Sequence, residues 1–308
     1  MEKLPLVSVI IPNYNHARYL EQRLDSVFNQ TYSNFEVIIL DDCSTDNSLE
    51  VINRYKDNSH LAQIVVNETN SGSTFKQWDK GIHLAKGDII WIAESDDYCE
   101  LSLLEELVVA FRTNRNIVIA YAPVVFVDDS GSITGYYSKE WRTQIMGGKN
   151  FIIHYLALDN VIHNASCALF DRNTALSINN RYINYVGVGD WWFWTLLAEK
   201  GDVAIVNKHL SYFRRHEGVV TSKRTQSGEN ALGFKALIDY ISSKYHISQI
   251  RMDYIRFSNR WLRSTEYESE RIRESVYEIW NMDKKYSLLE RKIFGVLNYL
   301  RRKKLLYL

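Results

Sequence analysis

The stretch Gly87-Asp-Ile-Ile-Trp-Ile-Ala-Glu-Ser-Asp-Asp-Tyr-Cys-Glu100 decides how the rest of the chain is read. Its apolar run, Ile89 to Ala93, reads as a short buried strand, and a carboxylate cluster follows at once. Side chains two apart on an extended segment point the same way, so Glu94 and Asp96 can converge on one point. Hard oxygen ligands just past the carboxyl end of a strand suit Mg²⁺ or Mn²⁺ holding a substrate's phosphates. In open α/β sheets that edge is also where ligands bind. The same aspartates could instead open a turn and cap the helix after Glu100, so the stretch alone leaves both readings standing.

Working outward, strands and helices alternate on the N-terminal side. Val7 to Ile11 predicts a first strand, ended by the loop Pro12-Asn-Tyr-Asn15, and Leu20, Leu24, Val27 and Phe28 then recur at helical spacing. Phe35 to Leu40 predicts a second strand, followed by Asp41-Asp-Cys-Ser-Thr-Asp-Asn-Ser48 and a helix carrying Leu49 and Ile52. Ile64 to Val66 predicts a third strand, and a helix through Gln77, Ile82 and Leu84 leads back to Gly87. This alternation implies a doubly wound, mainly parallel α/β sheet flanked by helices. Successive strands then end in Asn- and Asp-rich loops at one sheet edge, which is the first functional signal.

Beyond Glu100 the pattern loosens. A helix through Leu103 to Phe111 precedes a strand-like run from Val118 to Val127 around Pro123, and Asp128 to Ser132 suits a hairpin turn. Residues 136–165 look irregular, with a helix near Phe151 to Leu158, and Cys167 to Phe170 predicts a strand. Asp190 opens a helix bearing Trp191, Trp194 and Leu197, and short strands follow at Val203 to Val206 and Leu210 to Phe213. From about Gln226 the pattern turns helical, dividing the chain into 1–225 and a C-terminal extension, 226–308.

Composition narrows the function classes. The 308 residues carry 37 basic and 37 acidic side chains, so no global field recruits nucleic acid. Cys43, Cys99 and Cys167 are widely spaced and lack a metal-ligand pattern. No N-terminal signal precedes Val7 and no uncharged apolar run reaches membrane-spanning length, which leads to the expectation of a soluble, cytoplasmic protein. No Ser/His/Asp or Cys/His arrangement in a motif's context and no P-loop appears.

The passages Val7-Ser-Val-Ile-Ile-Pro-Asn-Tyr-Asn15, Val37-Ile-Ile-Leu-Asp-Asp-Cys-Ser-Thr-Asp46 and Ile92-Ala-Glu-Ser-Asp-Asp97 together resemble glycosyltransferase family 2, nucleotide-sugar transferases with the GT-A fold. The resemblance covers about residues 5–225 and is tightest up to Tyr98. It implies nucleotide-binding roles for Pro12, Tyr14, Asp41, Glu94 and Ser95, with Asp41 bonding the base. It places Asp96 at the family's Asp-x-Asp motif as a ligand of Mn²⁺ or Mg²⁺, with Glu94 replacing the usual first Asp. Asp190 stands where the family has its catalytic base, and Gly189 where a Glu is common. His216, in Tyr212-Phe-Arg-Arg-His-Glu217, resembles a late His that approaches the metal.

The function this implies is inverting, metal-dependent transfer of a sugar from a nucleotide-sugar, a UDP-sugar by expectation, to a glycan or lipid-linked saccharide of cell-surface polysaccharide. Two alternatives are a nucleotidyltransferase and a catalytically silent nucleotide- or carbohydrate-binding protein. Residues 288–308 put Ile293, Val296, Leu297 and Leu300 at helical spacing among lysines and arginines. That pattern suits peripheral contact with the inner face of the cell membrane, or a terminal helix packed on the domain with a solvated basic end.

Overall fold

The computed structural model describes residues 4–137, 143–185, 187–215, 224–259 and 261–302. In chain order the strands are β1 (Val7–Asn13), β2 (Phe35–Asp41), β3 (Leu61–Val66), β4 (Ile89–Ile92), β5 (Tyr98–Cys99) and β6 (Ile117–Tyr121), then β7 (Val124–Val127), β8 (Ile133–Tyr136), β9 (Gln144–Gly147), β10 (Ala168–Asp171), β11 (Asp202–Ile205) and β12 (Ser211–Arg214). The helices are α1 (Ala17–Phe28), α2 (Ser48–Asn53), α3 (Thr74–Leu84), α4 (Leu103–Arg112), α5 (Gly148–Phe151), α6 (Arg172–Ser177) and α7 (Gly189–Ala198). The C-terminal extension adds α8 (Glu229–Tyr245), α9 (Gln249–Ser258), α10 (Trp261–Ser264), α11 (Glu270–Trp280) and α12 (Leu288–Arg302).

An eight-stranded sheet in the order β3-β2-β1-β4-β10-β6-β11-β9 forms the centre. Its first four strands are parallel, as the alternating pattern predicts. The second half is mixed, because β10 inserts antiparallel between β4 and β6 and β9 runs antiparallel along β11. The strand-like run at 118–127 is two strands in two sheets: β6 belongs to the central sheet, whereas β7 crosses at Ala122–Pro123 into a small sheet ordered β5-β12-β7-β8. Proline lacks the N–H a central ladder would use, so a strand switch is a natural place for Pro123. The turn at Asp128 joins β7 to β8 as a hairpin.

Both faces of the parallel half are covered. Along β1, Val9 and Ile11 face a core completed by Leu20, Leu24 and Val27 of α1 and by Leu104 and Leu107 of α4. Ile10 faces the other core, with Phe75 and Trp78 of α3 and the aromatic helix α7. The period-two alternation of a strand thus builds two layers from one apolar run. The second core runs on into the extension, taking in Phe234, Leu237, Ile241, Trp280 and Phe294. Phe234 stacks on Trp191 of α7 at 4.4 Å and on Trp280 at 5.0 Å. Residues on both sides of position 225 therefore share one core. On α12, Phe294 is buried, while Leu288, Val296 and Tyr299 of the opposite face are 80%, 55% and 60% exposed. Among the described residues no helix is long and apolar enough to cross a membrane.

Candidate active site

The parallel register sets the carboxyl ends of the first strands side by side: Asn13 pairs with Asp41, and Ile10 with Ile92 at the end of β4. Asp41 is fully buried. Its carboxylate accepts from Asn13 Nδ2 at 2.7 Å, Ser44 Oγ at 2.7 Å and the Ser44 backbone N–H at 2.8 Å. A carboxylate has about four acceptor sites, and three of them are used within the fold. Asp42 is more fully used, because Asn67, Gln77 and the hydroxyl and N–H of Ser71 all donate to it. Asp46 accepts from the Ala17 N–H and so closes the start of α1. Asn15, at φ 56°, bridges the two loops by accepting from the Thr45 N–H at 2.7 Å. Beside them Pro12 is buried and Tyr14 is 45% exposed, open to a flat ligand.

After β4 the carboxylates divide by environment. Glu94 is half-buried and accepts from the indole N–H of Trp78 at 2.8 Å. Burial, and next the charge of Asp96, push its carboxyl up to about 8. Ser95 is buried with its hydroxyl 2.8 Å from His16 Nδ1. Asp97 is buried and accepts from Asn164 Nδ2 at 2.6 Å, Ser166 Oγ at 2.8 Å and the Arg214 backbone N–H at 2.9 Å. Burial, followed by the Asp96 charge, pushes Asp97 upward as well. Asp96, half-buried, is thus the negative charge that both neighbours oppose. Such mutual repulsion fits a place for a cation, with Asp96 as its carboxylate ligand. Glu94 Oε1 is held by Trp78, and Asp97 by the 164–166 turn. Among the described residues no three His, Cys, Asp or Glu side chains converge into a metal cluster, and His216 lies outside those residues.

Two buried arginines shape this loop. Arg23, fully buried in α1, donates to the Glu94 carbonyl at 2.8 Å and to Ser166 Oγ at 3.0 Å, and lies 4.0 Å from Asp97. Arg214 donates to the Asp96 carbonyl at 2.9 Å and to the carbonyls of Asp128 and Asp129, tying the hairpin to the acidic loop.

Asp190 lies in the first turn of α7, which begins one residue earlier, at Gly189. It is half-buried and accepts from Asn160 Nδ2 at 2.7 Å, and burial pushes its carboxyl up to about 6. Gly189 has no space for a side chain: a Cβ there would lie 2.5 Å from the Phe75 ring and from the Tyr182 carbonyl oxygen. That close packing is why glycine stands where the family resemblance suggests Glu. One segment joins this helix to the acidic loop, since Asn160 holds Asp190 while Asn164 and Ser166 hold Asp97. Four residues of chain span at most about 14 Å, which limits how far apart the two anchoring asparagines, Asn160 and Asn164, can lie.

Sequence reasoning singled out the three edge loops and Asp190 and left Trp78, Arg23, Asn160 and Arg214 unmarked. Partners of these residues lie far off in the chain, so no local pattern marks them. The aromatic run 191–194 was the one available hint that α7 is buried all round.

The chain belongs to glycosyltransferase family 2: the family description "Glycosyl transferase family 2" matches residues 8–175. It is a glycosyltransferase with a GT-A fold. Among curated proteins it is 35% identical over 129 residues to an uncharacterized glycosyltransferase of Haemophilus influenzae, covering 42% of this chain and 51% of that one. A second uncharacterized glycosyltransferase of that organism is 26% identical over 94% of this chain and 85% of its own length. Chondroitin synthase of Pasteurella multocida is 34% identical over 49% of this chain, a match spanning 16% of that protein. Among solved structures, S. aureus TarS 1–349 in complex with UDP-GlcNAc superposes with TM-score 0.68 at 19% identity, over 89% of this chain and 80% of that one. The mannosyltransferase PcManGT of Pyrobaculum calidifontis, in complex with GDP-Man and Mn²⁺, superposes with TM-score 0.56 at 15% identity, over 97% of this chain and 81% of that one.

Proposed function

We propose that the chain transfers a sugar, with inversion, from a UDP-sugar to a hydroxyl of a growing cell-surface glycan. The observation that carries this reading is the 160–166 segment, which holds Asp190 at one end and the acidic loop at the other. In the proposed step Asp190 accepts the acceptor's hydroxyl proton as that oxygen attacks the anomeric carbon. The bond to the diphosphate breaks and the nucleotide leaves with the electron pair. Pro12 and Tyr14 contact base and ribose, Asp41 accepts from the base imide, and Glu94 and Ser95 line the ribose and sugar side. Asp96 would hold Mn²⁺ or Mg²⁺, with His216 as a second ligand, and a cation there would neutralise charge on the departing diphosphate. Similarity to TarS, solved with UDP-GlcNAc, supports a UDP donor, and PcManGT with Mn²⁺ supports a divalent ion.

The acceptor we propose is lipid-linked, met at the inner face of the cell membrane by the exposed face of α12. Calorimetric titration of UDP in Mn²⁺ tests the nucleotide site. The reading expects binding that Asp96→Ala weakens at least tenfold and Asp190→Asn leaves intact. Equal binding by Asp96→Ala, or none by the wild type, contradicts it.

A further inference from the structure

Asn160 has no counterpart in the motifs that mark the rest of the site, yet its surroundings are specific. It follows a π-helical turn, Ile152–Leu156, a geometry that is rare and recurs at functional sites. The turn and the residues just after it are fixed to α7 by two side-chain bonds. Trp191 Nε1 donates to the Leu156 carbonyl at 2.8 Å, and Asn160 Nδ2 donates to Asp190 Oδ2 at 2.7 Å. Only the amide nitrogen can bond a carboxylate, so that contact sets the orientation of the Asn160 side chain. Its Oδ1 is then buried and, among the described residues, has no hydrogen-bond partner. A buried polar atom left unsatisfied costs stability, and the protein tolerates that cost beside its proposed base.

We propose that Asn160 is the positioning residue for Asp190, holding Oδ2 so that the acceptor's proton is taken on Oδ1. The inference rests on the reading of Asp190 as base. As the acceptor oxygen bonds the anomeric carbon, its proton passes to Oδ1. Oδ2 keeps the amide bond in both protonation states, so the carboxyl does not rotate during the step. The amide also favours the ionised form, opposing the burial that raises Asp190.

Titratable groups on the elements packed against α7 have other partners. His154 contacts Arg251, Tyr182 donates to Asp79, and Arg181 lies over the Trp192 ring. Lys149 on α5, Tyr155 on the π-helical turn, the buried Tyr121 on β6 and Tyr240 on α8 also lie on elements packed against α7, and none is among the causes of the Asp190 shift.

The test is a carboxyl ¹³C NMR titration of aspartate-labelled protein, with the Asp190 signal assigned through Asp190→Asn. Asn160→Ala should raise the midpoint of Asp190 by about one unit, the scale of a lost hydrogen bond to a charged group. Asn160→Asp, which adds a like charge, should raise it further. Near-ultraviolet circular dichroism confirms that each variant keeps its aromatic core. An Asp190 midpoint unmoved in both folded variants overturns the role of Asn160. UDP release from UDP-sugars at the wild-type rate by Asp190→Asn overturns the base assignment instead, so the two failures are told apart.

Discussion

Asp190 can act as a base only when ionised. Because burial raises its carboxyl to about 6, the neutral form persists to a higher pH than for an exposed aspartate. Turnover should therefore fall about tenfold per pH unit as the pH drops below about 6, and level off above it. The profile of kcat/KM between about pH 5 and 8 checks this, and a flat profile contradicts it. Gly189, next to it, carries a structural prediction. Gly189→Ala puts a methyl group against Phe75 and the Tyr182 carbonyl, so stability should drop by about 1–3 kcal/mol as in other overpacked cores. Thermal or urea unfolding measures it, and an unchanged midpoint would mean that α7 can shift. At this scale sequence and structure differ most over Arg23. Nothing in the helical pattern of Leu20, Leu24 and Val27 marks it, yet it is fully buried beneath the acidic loop. Its partners are a carbonyl at position 94 and side chains at 97 and 166, and no local spacing encodes contacts so distant.

At the scale of elements, strands β1, β2 and β4 and their loops were legible because each is specified locally: an apolar run and then turn residues. The π-helical turn and the switch of β7 into a second sheet were not, since both depend on packing that forms only when the sheet closes. The terminal helix packs on the domain through one face, and its other face is exposed. Phe294 packs on Tyr254, Phe257 and Tyr286, while Leu288, Leu289, Ile293, Val296 and Tyr299 remain exposed with Lys292 among them. An apolar stripe that contains a cation suits an anionic bilayer better than a second copy of itself. Sedimentation with vesicles containing phosphatidylglycerol should capture the protein. Lys292→Glu should weaken capture roughly tenfold or more, since each basic residue near such a surface is worth about 1 kcal/mol. Equal binding to neutral vesicles, or none to either, contradicts membrane contact.

Across the whole molecule, the parallel half presents the Asn- and Asp-rich edge loops and α7 presents Asp190, with the 160–166 segment bonded to both Asp190 and Asp97. The helical extension braces this arrangement from behind, through Phe234 against Trp191. The first half was readable because its motifs follow one another in sequence; the second is assembled from strands out of sequence order, with β10 placed between β4 and β6. The central claim is that these halves form one metal-assisted sugar-transfer site. It is tested most directly by nucleotide release from a panel of UDP-, GDP- and dTDP-sugars supplied with Mn²⁺, using water as the acceptor. The account predicts slow UDP release from at least one UDP-sugar, abolished by chelator and by Asp96→Ala. UDP release that persists unchanged in chelator and in Asp96→Ala would contradict it.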